Sequence, residues 1–340
     1  MKIRLFFMAL CLCVFASCEK DEPVIPDEPV VPPTEQPEEP ETPVEPEEPQ
    51  EPISTDGIIN WNNEFIIVGN NNMANIGSGT WNCITYGNGK YVAVGSDGDT
   101  AYSTDGVNWN KGNIGNLKIY RLNSVAYGNG KFVAVGETRN FTSDAAKRIY
   151  STDGINWNKS EESYPYNDSH YNVAYGNGKF VTSIYADGDV LTSSDGITWR
   201  SSDNGISAGT PPIAFLNGEF ISLSHNSTYT STDGNSWSKE SNNLDFFAKS
   251  VCYGNGKYVA VGSYDDYKAI AYSTDAINWT ILKSIGGWKL QKELYSVTYG
   301  NGKFAAIGEA GTTYISVDGA NWSKVDIGIS GTLYGIISVQ

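Results

Sequence analysis

YGNGKYVAVGSDGDTAYSTDGVNW, residues 86–109, is the unit from which the chain after residue 80 is built. Its first half, YGNGK, returns at Tyr127, Tyr175, Tyr253 and Tyr299, and in altered form, FLNGE, at Phe215. Its second half, S-x-D-G-x-x-W or close to it, begins at Ser103, Ser151, Ser193, Ser231, Ser273 and Ser316. Recurrence at a spacing of roughly 40 residues marks a repeat architecture, in which one supersecondary unit buries its faces only by stacking on its neighbours. Apolar and polar residues alternate with period two in KYVAVG and KFVAVG, and Gly and Asn break the run, so each half reads as two short strands around a turn. In the first copy the four strands fall at a segment ending at residue 86, then at 90–95, 101–104 and 107–110. Past residue 80 no stretch carries a sustained, capped i, i+3, i+4 apolar stripe. Four strands per unit of about 40 residues is the blade of an all-β propeller.

The second half-repeat has a structural role that its residues dictate. Asp105 accepts hydrogen bonds from the N–H groups of its own turn, Gly106 supplies a positive φ, and Trp109 has a large face to bury beside the next blade. The same roles fall to Asp153 and Trp157, Asp195 and Trp199, Asp233 and Trp237, Asp275 and Trp279, and Asp318 and Trp322. This motif resembles the Asp-box, or BNR repeat, of propellers related to sialidases. The resemblance covers residues 80–325 and implies a propeller with structural Asp and Trp residues. In the family pattern one residue separates Asp from Gly. Here Asp105 and Gly106 adjoin, and the fifth copy has Ala276 in place of the Gly.

The N-terminus has Lys2 and Arg4, an apolar run over 5–15 and then Ala16-Ser17-Cys18, the layout of a secretory signal. It resembles a lipobox, which implies a signal peptide over 1–17 and lipidation of Cys18. The apolar run is too short to span a bilayer. The acidic residues after the cysteine, Glu19-Lys20-Asp21-Glu22, resemble the surface-export signal of Bacteroidota outer-membrane lipoproteins. Residues 18–52 then form a stalk of Pro, Glu, Val and Asp, holding 11 of the 14 prolines. That composition cannot bury a core and reads as an extended, disordered spacer. The spacer carries −12 of the chain's net −16, so the propeller region, 53–340, is only mildly acidic. Dispersed lysines on a mildly acidic domain do not fit nucleic acid.

Six full repeats leave a hairpin at 58–69 and a tail at 333–339, whose SGTLYGIIS resembles SGTWNCITY at 78–86. The tail therefore reads as another first strand. Hairpin and tail together make a seventh, mixed blade that closes the ring; a six-bladed ring with appended strands is the alternative. Cys83 and Cys252 lie on first strands of different repeats and read as two buried thiols rather than a disulfide.

Turns joining strands one to two and three to four share one face, and here they are the uniform GNG and DG turns. Links from strand two to three occupy the opposite face and vary: 7 residues from Gly95 to Tyr102, 14 from Gly136 to Tyr150, 6 from Ser224 to Thr230 and 10 from Gly262 to Tyr272. Variable loops on a rigid scaffold carry binding. They also hold the unusual side chains, among them Arg139, Phe141, Tyr164, Tyr166, Asp187, Phe246, Phe247 and Asp266. The candidates nearest the central mouth are Arg121, Glu137, His170, Tyr185, His225, Tyr264 and Glu309, and Trp288 on a variable loop is a further ligand-binding candidate. Aromatics beside carboxylates and amides suit a glycan, or a partner protein in the envelope.

Sialidases of the resembling family use three Arg, a Tyr/Glu pair and an Asp. After the signal this chain has only Arg121, Arg139, Arg148 and Arg200, and the Arg-Ile-Pro signature is absent because Tyr150 follows Arg148-Ile149. Sialidase activity is not expected. A hydrolase or lyase would need only two groups across a cleft, for which Glu137, Asp187, Asp266 and Glu309 are candidates. His170 and His225 lack metal-ligand spacing. The loops Asp97-Gly98-Asp99 and Asp187-Gly188-Asp189 offer oxygen donors to calcium, but turn chemistry accounts for them too. The expectation is a non-catalytic, lipid-anchored binding protein of the outer membrane without a cofactor. The alternatives are a carbohydrate-active enzyme or an envelope assembly scaffold.

Overall fold

The computed structural model describes residues 58–70, 79–137, 147–161, 169–184, 188–202, 205–206, 212–265 and 267–339. The signal, Cys18 and the stalk lie outside them. So do Arg139, Phe141, Tyr164, Tyr166, Tyr185, Asp187, Asp266 and the side chain of Trp288.

Each repeat folds into one antiparallel sheet of four strands in sequence order, giving six full blades. In the first they are Trp81–Gly87, Lys90–Gly95, Thr100–Ser103 and Asn110–Lys111, from the centre outward. A seventh blade joins the two ends of the described chain. The C-terminal strand Leu333–Ser338 pairs with Phe65–Gly69, which pairs in turn with Ile58–Trp61. Leu333–Ser338 also packs between the inner strands Leu294–Gly300 and Trp81–Gly87, so the ring closes with seven blades. Among the described residues the closing blade has three strands, those of the hairpin and the tail.

The YGNGK half-repeat builds the contact between blades. In the first, second, third, fifth and sixth blades the ring before the GNG turn leans on the ring after it, with centroids 4.7 Å apart as in Tyr127 and Phe132. The Gly after Tyr86, Tyr127, Tyr175 and Tyr253 receives the next blade's aromatic, a Cβ on Gly128 standing 2.1 Å from Cγ of Tyr175, whereas Gly300 meets Ser338 of the closing blade. Turn asparagines reach forward as well, Asn129 Nδ2 donating to Ser194 O at 3.0 Å and Asn177 Nδ2 to Thr232 O at 2.8 Å.

The second half-repeat is a closed hydrogen-bonded turn. Asp105 Oδ1 accepts from Ser103 Oγ (2.8 Å) and from the N–H groups of Val107 (2.9 Å) and Asn108 (2.7 Å), while Ser103 Oγ accepts from Gly106 N–H. The same carboxylate contacts recur at Asp153, Asp195, Asp233, Asp275 and Asp318. Because the carboxylate engages the N–H groups of Val107 and Asn108, they are lost to the ladder. The outer strand therefore begins at Asn110, later than the alternation predicts. Trp109 lies in one core with Ile66 and Val68 of the preceding blade, rather than beside the following one. The other five tryptophans repeat this arrangement.

Candidate functional site

Among the described residues, six of the seven inner strands carry a β-bulge near their start. Asn82, Asn123, Lys249, Tyr295 and Tyr334 are the extra residues between paired neighbours, and in the third blade the shift spans Tyr171 and Asn172. A bulge interrupts the two-residue alternation and lets successive side chains turn the same way. The result is two stacked rings of side chains about the central axis. The outer ring is Asn82, Asn123, Tyr171, Lys249, Tyr295 and Tyr334, and the inner ring is Cys83, Ser124, Asn172, Pro212, Ser250, Ser296 and Gly335. With Arg121, Leu223, Ser224 and Phe247 they line a cavity of about 780 Å³, open on the face opposite the GNG turns. The Gly that ends the second strand has its reason here: opposite the bulge, a Cβ on Gly136 would lie 1.9 Å from Arg121 O and one on Gly308 1.8 Å from Glu293 O.

Several ring side chains are engaged in holding blades together. Asn82 Nδ2 donates to Leu122 O (2.8 Å) and Asn123 Nδ2 to His170 O (2.9 Å). One layer deeper, Ser124 Oγ accepts from Val173 N–H and Asn172 Oδ1 from Ile213 N–H. The amides on this side are thus structural, and the side chains turned to the opening are Arg121, Tyr171, Phe247, Lys249, Tyr295 and Tyr334.

Two cations stand at the mouth. Lys249 Nζ pairs with Glu293 Oε1 at 2.7 Å and lies 4.7 Å from the Tyr295 ring centroid. Glu293 also accepts from Ser263 Oγ (2.6 Å) and, at Oε2, from Tyr295 Oη (3.3 Å). Burial raises the Glu293 carboxyl pKa, but Lys249 and Ser263 outweigh it and hold it below the usual range. Burial, then the charges of Glu293 and Glu309, push the Tyr295 phenol up, so it remains a hydrogen-bond donor at neutral pH. On the second blade Arg121 pairs more loosely with its cross-strand partner Glu137, at 3.8 Å. In both pairs the cation is the more exposed side chain, 43% against 21% for Arg121 and Glu137 and 35% against 18% for Lys249 and Glu293. Among the described residues no carboxylate lines the cavity.

An aromatic shelf borders Lys249. The rings of His225, Phe247 and Tyr264 lie 5.3–5.7 Å apart at mutual angles of 30–36°. Phe247 is 55% exposed and Tyr264 37%. Behind them Tyr267 donates its hydroxyl to Asp245 O and carries Lys283 over its ring at 4.0 Å.

The sequence candidates thus separate. Arg121 lines the mouth, Glu137 stands behind it, and His225 and Tyr264 form the shelf. Glu309 lies in a short 3-10 turn, its carboxylate accepting from Glu293 N–H at 3.1 Å. Trp288 belongs to a small hairpin, Ser284–Ile285 with Trp288–Lys289, between the fifth and sixth blades. His170 does not reach the mouth. It is 2% exposed, and Arg148 Nη1 donates to its Nε2 at 3.0 Å. Arginine only donates, so the proton sits on Nδ1, 3.3 Å from Thr182 Oγ1, which donates to Asn172 O. Burial, then Arg148 and Lys147, hold this imidazole neutral. Lys249, Tyr295 and Tyr334 were missed because they lie on inner strands, not in the variable loops, and Glu293 directly precedes one of those strands. Lining up the repeats on the Tyr of YGNGK, with Ser338 of the tail in that position, puts Asn82, Asn123, Tyr171, Lys249, Tyr295 and Tyr334 in one variable column.

Among the described residues no three His, Cys, Asp or Glu side chains gather as a metal site. In the Asp97-Gly98-Asp99 loop Asp97 and Gly98 both have positive φ, the geometry of a tight hairpin turn, and Asp99 pairs with Lys111 at 3.1 Å.

No protein-family model and no curated protein sequence matches this chain. Solved structures do. YCF48 bound to D1 peptide superposes with a TM-score of 0.59 at 17% identity, over 84% of this chain and 100% of that one. YCF48 from Cyanidioschyzon merolae gives 0.56 at 14%, over 77% and 88%. A catalytically inactive virginiamycin B lyase from Staphylococcus aureus with Quinupristin gives 0.62 at 13%, over 78% and 89%. At these identities the likeness shows the fold.

Proposed function

We propose that this chain is a non-catalytic binding protein whose central mouth and aromatic shelf take a partner protein or a glycan. The observation that carries the reading is the mouth's lining: cations, tyrosines, amides and an exposed Phe247, with no carboxylate among the described residues. A hydrolase working through paired acids needs two carboxyl groups facing one cleft. Here Glu137 and Glu293 are turned to their cations and Glu309 to a backbone N–H. The structural neighbours include propellers solved with a D1 peptide and with Quinupristin, which agrees with a ligand at a propeller face. The resemblances of the N-terminus to a lipobox and a surface-export signal support anchoring through Cys18 on the bacterial outer membrane. The Pro/Glu stalk would hold an Asp-box-like propeller away from the lipid. No metal or cofactor is proposed.

The test is a panel of immobilised peptides and glycans probed with the purified full chain, each bound ligand then examined by mass spectrometry for cleavage. Saturable binding without product, lost in Phe247→Ala and Tyr264→Ala, supports the reading. Turnover of any bound ligand overturns it.

A further inference from the structure

Resting on that reading, we infer that the mouth selects an acidic peptide segment of a partner protein, its carboxylates meeting Lys249 and Arg121 and an adjoining apolar side chain lying on the shelf of Phe247, Tyr264 and His225. The polarity of the two ion pairs is the starting point. Each cation is the more exposed member and lines the cavity, while its carboxylate partner stands outside the lining. The cavity lining therefore presents cations and, among the described residues, no carboxylate, each cation being neutralised from just outside the lining, so an anionic segment meets them by competing with Glu137 and Glu293 in a salt-dependent way. The cations come from the second and fifth blades and lie on different sides of the opening, so a single small anion cannot engage both at close range. An extended segment with spaced acidic residues can.

Hydroxyls surround Lys249: the Tyr295 phenol, which donates to Glu293, the Tyr334 ring packed against it at 5.1 Å, and Ser296 one layer down. Phe247 and Lys249 lie two residues apart on one strand, which places an apolar surface and a charge side by side. Acidic and apolar residues recurring along a partner segment supply both kinds of contact.

The probe is a fluorescein-labelled decapeptide of five Glu-Phe repeats, titrated against the full chain by fluorescence anisotropy. Comparison ligands are the Gln-Phe decapeptide and labelled oligogalacturonate, an acidic glycan. The inference predicts saturable Glu-Phe binding, at least about tenfold weaker for Gln-Phe and about tenfold weaker again when Lys249→Met or Arg121→Met removes a charge-assisted contact. Lys249→Arg keeps the charge and should retain most of the affinity. Circular dichroism melts of each variant establish that the ring is intact. Equal binding of Gln-Phe and Glu-Phe overturns the acidic selection while leaving a binding mouth, and oligogalacturonate binding in place of the peptide overturns the partner class. Failure of all three, together with a blank panel in the preceding experiment, overturns both readings.

Discussion

At the scale of single residues, the repeat's glycines leave room for something specific. Gly128 receives the ring of Tyr175, and no positive φ is involved, so Gly128→Ala tests packing alone. Overpacking of this kind costs about 1–3 kcal/mol, and the melting temperature of Gly128→Ala should fall by several degrees while far-UV circular dichroism is retained. His170 tests a titration. Its pKa in the folded chain lies well below that of a free imidazole, so between the unfolded value near 6.5 and lower pH the unfolded chain binds the extra proton and the folded chain does not. Stability from this group is therefore lost as pH falls below about 6.5. His170→Gln, which does not titrate, should show a smaller drop in melting temperature between pH 7 and pH 5 than the parent. An equal drop would assign the acid sensitivity elsewhere.

At the scale of elements, the six Asp turns are the repeated acid-sensitive feature. At Asp105 the Asn108 side-chain amide, then the N–H groups of Asn108 and Val107 and the Ser103 hydroxyl, hold the carboxyl below its ordinary range, and the other five are lowered too. A depressed carboxyl contributes stability that is present above the unfolded value near 3.9 and lost as pH falls through the folded one. Melting temperature should therefore drop steeply below about pH 4, and Asp105→Asn, which keeps the acceptor but cannot ionise, should shallow that drop. Strand number, turn chemistry and the structural role of Asp and Trp were legible in KYVAVG and STDGVNW, because alternation and turn residues are local signals. The bulges were not, since an extra residue in WNCITYG leaves no mark that alternation reveals. The mouth followed the bulges out of sight: Lys249 and Tyr295 sit in strands whose pattern reads as ordinary. His170 was misplaced for a related reason, its partner Arg148 standing 22 residues earlier on another blade.

At the scale of the whole molecule, closure depends on the last strand. Leu333–Ser338 is the inner strand of the closing blade and joins the first blade to the sixth. Tail and hairpin could be matched from sequence because SGTLYGIIS resembles SGTWNCITY, and together they supply the three strands the closing blade has among the described residues. A chain ending at residue 332 should lose cooperative thermal unfolding, and a melt as sharp as the parent's would show that the ring does not need the strand. The proposed partner enters on the face opposite the GNG turns. The most direct measurement is photo-cross-linking of the Glu-Phe decapeptide carrying a diazirine, with the modified residues of the full chain located by mass spectrometry. Adducts at 247–249, Tyr264 and Tyr295, competed by unlabelled peptide, are the predicted result. Adducts confined to the opposite face, at the GNG turns or at the exposed Val107 and Val317, would contradict it.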